Sequence, residues 1–322
     1  MNESSSLMSP TIDEWRQQLT RLAPQLEGMA VSVPRNNSDY AKVIETPLRF
    51  VNYLSGGSPE AIEEVCRGYI SFCDTFFEKQ VDFRRNDQYG ASDYEQVNGD
   101  VYQNAAYMSR IYYPALLLSY LFSSSYFALY RNFCERFIPA AKEADGHSCE
   151  IGIGHGLLSA SLLASIPNLT GFGIDISPVA VEFTERASSL FRLPRPILTR
   201  VANATQDIPL ENGRRYRVMI CAEVLEHLPD PAKILRNMHG ALAKDGILFL
   251  TAAVNMESVD HLYLFKSDDE VVEMVEECGF EVVDRDLAFL TVHPYRGDPE
   301  LCRKLMRLKN PATAVLILKK PA

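Results

Sequence analysis

Residues 150–157 read Glu-Ile-Gly-Ile-Gly-His-Gly-Leu, and Asp175 follows nineteen residues after Gly156. Gly152, Gly154 and Gly156 let a backbone turn tightly and approach a ligand, and a helix N-terminus just beyond them favours a carboxylate. The spacing is G-x-G-x-G; the dinucleotide pattern G-x-G-x-x-G asks for glycine at 157, where Leu157 stands. An acid at the end of the next strand can accept hydrogen bonds from both hydroxyls of a ribose. Alone, the glycine loop is weak evidence, and Asp175 could merely precede a helix capped by Ser177. Together they point to a bound ribose.

A second constellation is Glu223, Glu226 and His227. On a helix, i, i+3 and i+4 share one face. Two carboxylates and an imidazole so placed could hold Mg²⁺ or a softer divalent ion, with His261 as a further ligand. The preferred reading is metal-free, with His227 the foremost candidate base. His155, inside the glycine loop, can touch a carboxylate, act as a base, or merely satisfy loop sterics. Twelve of the fifteen tyrosines precede residue 131. Tyr107, Tyr112 and Tyr113 are candidates to enclose a substrate, since aromatic faces attract cations and floor apolar pockets; tyrosines also simply pack between helices. Tyr113 is a further candidate base, and His293 a candidate substrate wall.

The elements that must position these residues change character near residue 146. Before it the pattern is helical. Trp15, Leu19 and Leu22 share one face, and a second helix opens at Ser58-Pro59, with Ile62, Val65, Cys66, Tyr69, Ile70 and Cys73 at a 3.6 period. Residues 83–100 read as a loop, and a helical pattern runs over 101–141, kinked at Pro114. Lys142–Gly146 is a polar hinge. Beyond it, short apolar runs at 149–153, 169–174, 197–201, 217–221, 247–252, 280–287 and 314–319 alternate with helical patterns at 157–166, 178–191, 231–243 and 268–278. That alternation predicts a parallel sheet built of βαβ units.

Glu150 to Gly156 and Asp175 resemble the first two motifs of the class I S-adenosylmethionine (SAM) dependent methyltransferases. Asn203-Ala204-Thr-Gln-Asp207 is similar to their third-strand motif, Cys221 to Pro231 to the fourth, and Leu242 to Gly246 to the turn before the fifth strand. The resemblance covers about 148–322. It implies an α/β fold with a Rossmann-like seven-stranded sheet of order 3-2-1-4-5-7-6, last strand antiparallel. To this is added an N-terminal all-helical cap over 1–142 that encloses the substrate, with the SAM-binding part over 143–322. It implies SAM as co-substrate, bound by Glu150, Gly152, Gly154, Gly156, Asp175, Ile176, Asn203, Ala204 and Glu223. The family's usual aspartate at the adenine amino group is Asn203 here, whose amide oxygen could still accept from it, with Asp207 able to share the role. The Glu-x-x-Glu-His string also resembles small-RNA 2′-O-methyltransferases and ubiquinone-pathway O-methyltransferases, where a metal orients the acceptor oxygen.

The formal charge is −10 and no Lys/Arg cluster stands out, which argues against a nucleic-acid partner and for a small neutral or cationic acceptor. The seven cysteines lack C-x-x-C spacing and read as reduced thiols. The opening ten residues have no apolar core, and the uncharged run 111–130 is rich in Ser and Tyr, so a cytoplasmic monomer or homodimer without membrane contact is expected. The function expected is methyl transfer to a small metabolite. An azetidine-2-carboxylate-forming enzyme of the same fold, which would cyclise SAM and release methylthioadenosine, and a non-catalytic SAM-binding protein are the alternatives.

Overall fold

The computed structural model describes residues 10–26, 38–86, 93–290 and 304–321. Helix α1 (Ile12–Leu22) starts at a capping box in which the Thr11 hydroxyl accepts the Glu14 N–H and the Glu14 carboxylate accepts the Thr11 N–H. It is followed by α2 (Ser38–Ser55) and α3 (Pro59–Asn86). Nothing in the sequence pattern announced α2, because Pro47 lies inside it. Burial of Tyr40, Val43, Ile44, Phe50 and Val51 outweighs the lost backbone bond. Of the loop expected over 83–100, residues 83–86 and 94–100 are helical. Helix α3 runs on to Asn86 because Gln80 and Phe83 continue its buried face.

Helix α4 (Tyr94–Val97) falls inside the stretch expected as loop, and the kinked helical pattern expected over 101–141 is a chain of short pieces: α5 (Ala105–Tyr107), α6 (Tyr113–Phe122), α7 (Ser124–Asn132) and α8 (Ile138–Ala140). Three π-helical turns, Asn98–Tyr102, Met108–Tyr112 and Phe133–Phe137, lie among them. The break falls at extended Ser123, and Pro114 sits in the first turn of α6, where its missing N–H costs nothing. No helix among the described residues is long and apolar enough to cross a membrane.

Strands β1 (Gly146–Ile151), β2 (Leu169–Asp175), β3 (Leu198–Val201), β4 (Tyr216–Ala222), β5 (Leu242–Val254), β6 (Glu281–Phe289) and β7 (Ala312–Lys319) form one sheet in the order β3-β2-β1-β4-β5-β7-β6. The β3-to-β5 pairings are parallel, and β7 is antiparallel to both β5 and β6. This is the topology the resemblance implied. Helices α9 (Leu157–Ser165), α10 (Pro178–Phe191), α11 (Pro231–Ala241) and α12 (Asp268–Glu277) cover its faces.

Successive side chains point to opposite faces of a strand, and the two cores follow that rule. Val218, Ile220, Phe249, Val315 and Ile317 join a core with α9, α10 and the N-terminal helices. Met219, Cys221, Leu248, Leu250, Leu316 and Leu318 join the other, with α11 and α12. The N-terminal helices therefore share a core with the sheet. Phe133 and Phe137 set their rings 5.1 and 5.3 Å from that of Phe249 on β5.

Phe249→Ala would remove the ring that both aromatics pack on. A loss of about 3–5 kcal/mol is expected, measured by urea unfolding. Leu308→Ala, at a residue 61% exposed, should change stability by under about 0.5 kcal/mol.

Candidate functional site

The C-terminal ends of β1, β2 and β4 open into one pocket. After β1 the chain turns through left-handed backbone at Gly152, Gly154 and Gly156, with φ of 67°, 51° and 75°. A Cβ on Gly152 would lie 2.6 Å from Val224 Cγ2, and one on Gly156 would lie 3.0 Å from the Thr184 Cα. Both glycines are thus required by conformation and by close approach. Asp175 ties this loop to the turn after β2. Its Oδ2 accepts the Gly154 N–H at 2.9 Å and its Oδ1 the Ser177 N–H at 2.8 Å. Burial raises its pKa, with the amides of Ser177, Gly154 and Ile176 opposing. Glu150 braces the start of α9, accepting the Ser159 N–H at 2.9 Å. Burial pushes its carboxyl up to about 8.

Ile176, Ala202, Asn203, Ala204, Leu228 and Ile234 line the neighbouring part of the pocket. The Asn203 Oδ1 takes the Thr205 N–H at 3.0 Å and its hydroxyl at 2.7 Å. Its amide oxygen is therefore engaged by Thr205, and the NH₂ is the group left for a ligand. Asp207 is exposed and lies outside the pocket lining, so it does not share the role. A glycine cradle, a carboxylate at the end of β2 and a flat apolar slot fit an adenosine.

Three groups differ from the sequence expectation in arrangement. First, His155 accepts the Leu157 N–H on Nδ1 at 3.2 Å, among the rings of Phe50, Tyr113 and Tyr120. Burial lowers its pKa to about 3. It is neutral with the proton on Nε2, a donor and not a base. Second, Glu223 is not on a helix. It follows the last residue of β4 with φ of 53°, and its carboxylate takes the Thr251 hydroxyl at 2.8 Å. The chain must pass under Gly152 through Val224 before a 3₁₀ turn, Leu225–His227, begins. Third, Glu226, His227 and His261, without Glu223, each offer an atom within 4.8 Å of the other two. Glu226 is fully buried, and among the described residues neither carboxylate oxygen has a hydrogen-bond partner of good geometry. Burial raises its pKa. That donor set fits a divalent cation.

His227 directs Nδ1 at the Asp260 carbonyl, 3.1 Å away, and at Asp260 Oδ2, 3.4 Å away; its Nε2 lies 4.0 Å from Glu226 Oε1. Burial lowers its pKa, but the Asp260 and Glu226 charges and nearby carbonyls outweigh this and raise it. His261 directs Nδ1 at the Met256 carbonyl, 2.6 Å away, and burial holds it down at about 4. Asp260 is the residue sequence reasoning missed; only its place beside His261 marked it.

Tyr69, Phe72, Phe76 and Phe77 of α3 form the wall opposite, with Tyr112 and Tyr113 between them and the glycine loop. The cavity measures about 240 Å³, and its described lining holds no Lys or Arg. Tyr107 packs against Tyr112, with ring centroids 6.1 Å apart, and lies outside the lining. Gly156 also lies behind the pocket, at the start of α9. His293 lies outside the described residues.

A glycine loop after β1, an acid after β2 and a reversed β7 define a Rossmann-like nucleoside-binding domain of the methyltransferase type. The family profile described as a methyltransferase domain matches residues 122–285, just over half of the chain. The chain belongs to this methyltransferase domain family. The ubiquinone biosynthesis O-methyltransferase of Vibrio vulnificus is 26% identical over 128 residues, 40% of this chain and 52% of that protein. That of Actinobacillus pleuropneumoniae is 28% identical over 102 residues, 32% and 43% of the two chains. The chain thus spans about half the length of these relatives. An O-methyltransferase from a Brevibacillus brevis multienzyme, solved with S-adenosyl-L-homocysteine, is 14% identical over 58% of this chain and 71% of its own, with a TM-score of 0.44.

His155 yields a pH prediction. Its folded pKa lies below the ordinary value, so its contribution to stability is full above about pH 6.5 and is lost as pH falls toward 3. Urea unfolding at about pH 7.5 and pH 5 should show the wild type losing about 2 kcal/mol more than His155→Gln. Equal losses would show that His155 titrates normally.

Proposed function

We propose that the chain is a SAM-dependent methyltransferase of a small-molecule acceptor with an apolar body, in which 143–322 hold SAM and 1–142 enclose the substrate. One observation carries this reading: the glycine loop, Asp175, the Asn203 slot and the His227–Asp260 pair line one pocket whose far wall is aromatic. When bound, SAM supplies the electrophilic methyl group and its own leaving group. The chain's work is to align the reactants and exclude water. Asp175 accepts from the ribose, Asn203 presents its NH₂ to the adenine edge, and the His155 Nε2–H donates to the amino-acid carboxylate. The α3 rings and Tyr112 close off solvent. His227 Nε2 accepts the acceptor's proton. Tyr113, whose hydroxyl burial keeps protonated, orients and does not deprotonate. With no Lys or Arg in the described lining, an anionic acceptor would lack a partner.

A second reading draws on the same aromatic wall. If it leaves no room for another molecule, the amine of SAM itself becomes the nucleophile, and the products are a four-membered cyclic amino acid and methylthioadenosine. A divalent cation would be held by Glu226, His227 and His261 and would polarise an acceptor oxygen; the reading preferred here needs none.

Calorimetry should give S-adenosylhomocysteine a low-micromolar Kd, about −8 kcal/mol. Asp175→Ala should weaken it at least about tenfold. Unchanged affinity would remove the ribose role.

The reaction is read by mass spectrometry of the nucleoside formed from SAM, alone and with a panel of phenols and amines. S-adenosylhomocysteine should form only with an acceptor and persist in EDTA. Methylthioadenosine from SAM alone would replace transfer by cyclisation. Loss of turnover in EDTA, restored by Mg²⁺ or Zn²⁺, would establish the cation.

A further inference from the structure

We propose that Asp260 is the positioning residue of this site, and that the helical half of the chain sets it through the hydroxyls of Tyr102 and Tyr112. The inference rests on the reading of His227 as proton acceptor. Asp260 is 1% exposed, and a single oxygen, Oδ2, receives the Tyr102 and Tyr112 hydroxyls, each at 3.1 Å, and faces His227 Nδ1 at 3.4 Å. The donors and the acid come from different halves of the chain. Both tyrosines close a π-helical turn, Asn98–Tyr102 and Met108–Tyr112. A π-turn adds a residue to a helical turn and re-aims the side chains beyond it, and such turns recur at functional sites. Here two of them aim two phenols at one carboxylate. Tyr102 also sets its ring edge-on to His227, with centroids 6.0 Å apart.

The consequence for His227 is a fixed tautomer. Nδ1 is faced by two acceptors, the Asp260 carbonyl at 3.1 Å and Oδ2. In the neutral ring the proton therefore sits on Nδ1 and the lone pair on Nε2, the nitrogen nearer Glu226. Without the carboxylate, the two phenols lose their acceptor, and Nδ1 keeps only the backbone carbonyl of residue 260. The freed phenols would compete for that carbonyl, the hold on the Nδ1 proton would weaken, and the tautomer with the proton on Nε2, which leaves no acceptor for the substrate, would become populated. Asp260 acts through His227, by engaging the two phenols and keeping the proton on Nδ1.

The test reads the tautomer directly by ¹⁵N NMR of histidine-labelled protein bound to S-adenosylhomocysteine, with His227 assigned from His227→Gln. The wild type should show Nδ1–H. Asp260→Ala should move the proton to Nε2, and Asp260→Asn, whose amide oxygen can replace Oδ2, should restore Nδ1–H. Adding Tyr102→Phe and Tyr112→Phe to Asp260→Ala should also restore it. If Asp260→Ala does not fold, the Tyr102→Phe/Tyr112→Phe pair in the otherwise native chain decides. The Nδ1 proton should exchange with water about tenfold faster once its cover is unpinned. A wild-type tautomer in Asp260→Ala, or unchanged exchange in the tyrosine pair, overturns the proposal. None of these signals requires turnover, so a shifted tautomer without methyl transfer would preserve the role of Asp260 and refute only the reaction.

Discussion

The Asp175 carboxylate ties together the backbone segments that follow β1 and β2. One oxygen holds the amide of Gly154 in the loop after β1, and the other holds the amide of Ser177 at the start of α10. The loop carries three left-handed residues in five, a conformation with few internal hydrogen bonds to fix it. The acid adds to the restraint from the Gly152 and Ile153 amides, which both donate to the Ile174 carbonyl, and β1–β2 pairing supplies the register that brings the two together, with Ile151 opposite Ile174. Val224 lies against Gly152, and Tyr113 lies over Gly154.

Around that junction the protein buries an unusual concentration of acid. Glu150, Glu226 and Asp260 are all essentially inaccessible. Each meets its desolvation differently. Glu150 rises to about 8 and is held by an amide. Asp260 keeps its charge, because His227, His261 and hydroxyl donors oppose burial. For Glu226 the nearby His227 and the amides of Glu226 and Ala253 do not offset burial, and its pKa rises. One fold thus presents two acids raised by burial and one held charged within one pocket.

Much of this was legible in the sequence, because it was carried by local rules. The glycine spacing, the acid at the end of β2 and the alternation of short apolar runs with helices rest on backbone geometry. Strand positions came within a few residues, except for β5, which starts at Leu242 rather than 247 because its polar opening residues hid it. What was not legible depended on tertiary contact. Helix α2 was hidden by Pro47. The π-turns have no sequence signature, so the tyrosines could be recognised as a group but not aimed. Glu223 and Glu226 are three residues apart in any conformation, and only the passage under Gly152 separates their roles. Asp260 gained its importance from residues about 150 positions earlier, a distance no spacing rule spans.

The place of β7 has a consequence for how the chain is made. It is the last described strand in sequence and yet lies inside the sheet, between β5 and β6. During vectorial synthesis β5 is complete, with Leu248, Phe249 and Leu250 in place, some sixty residues before its partner emerges. For that interval one edge of β5 offers unpaired amides and carbonyls beside apolar side chains, the kind of edge that recruits other strands. Strand β6 cannot shield it, since β6 reaches the sheet only through β7. The β5 edge is closed only when β7 arrives, so the order of strands in the chain and their order in the sheet differ at this one place.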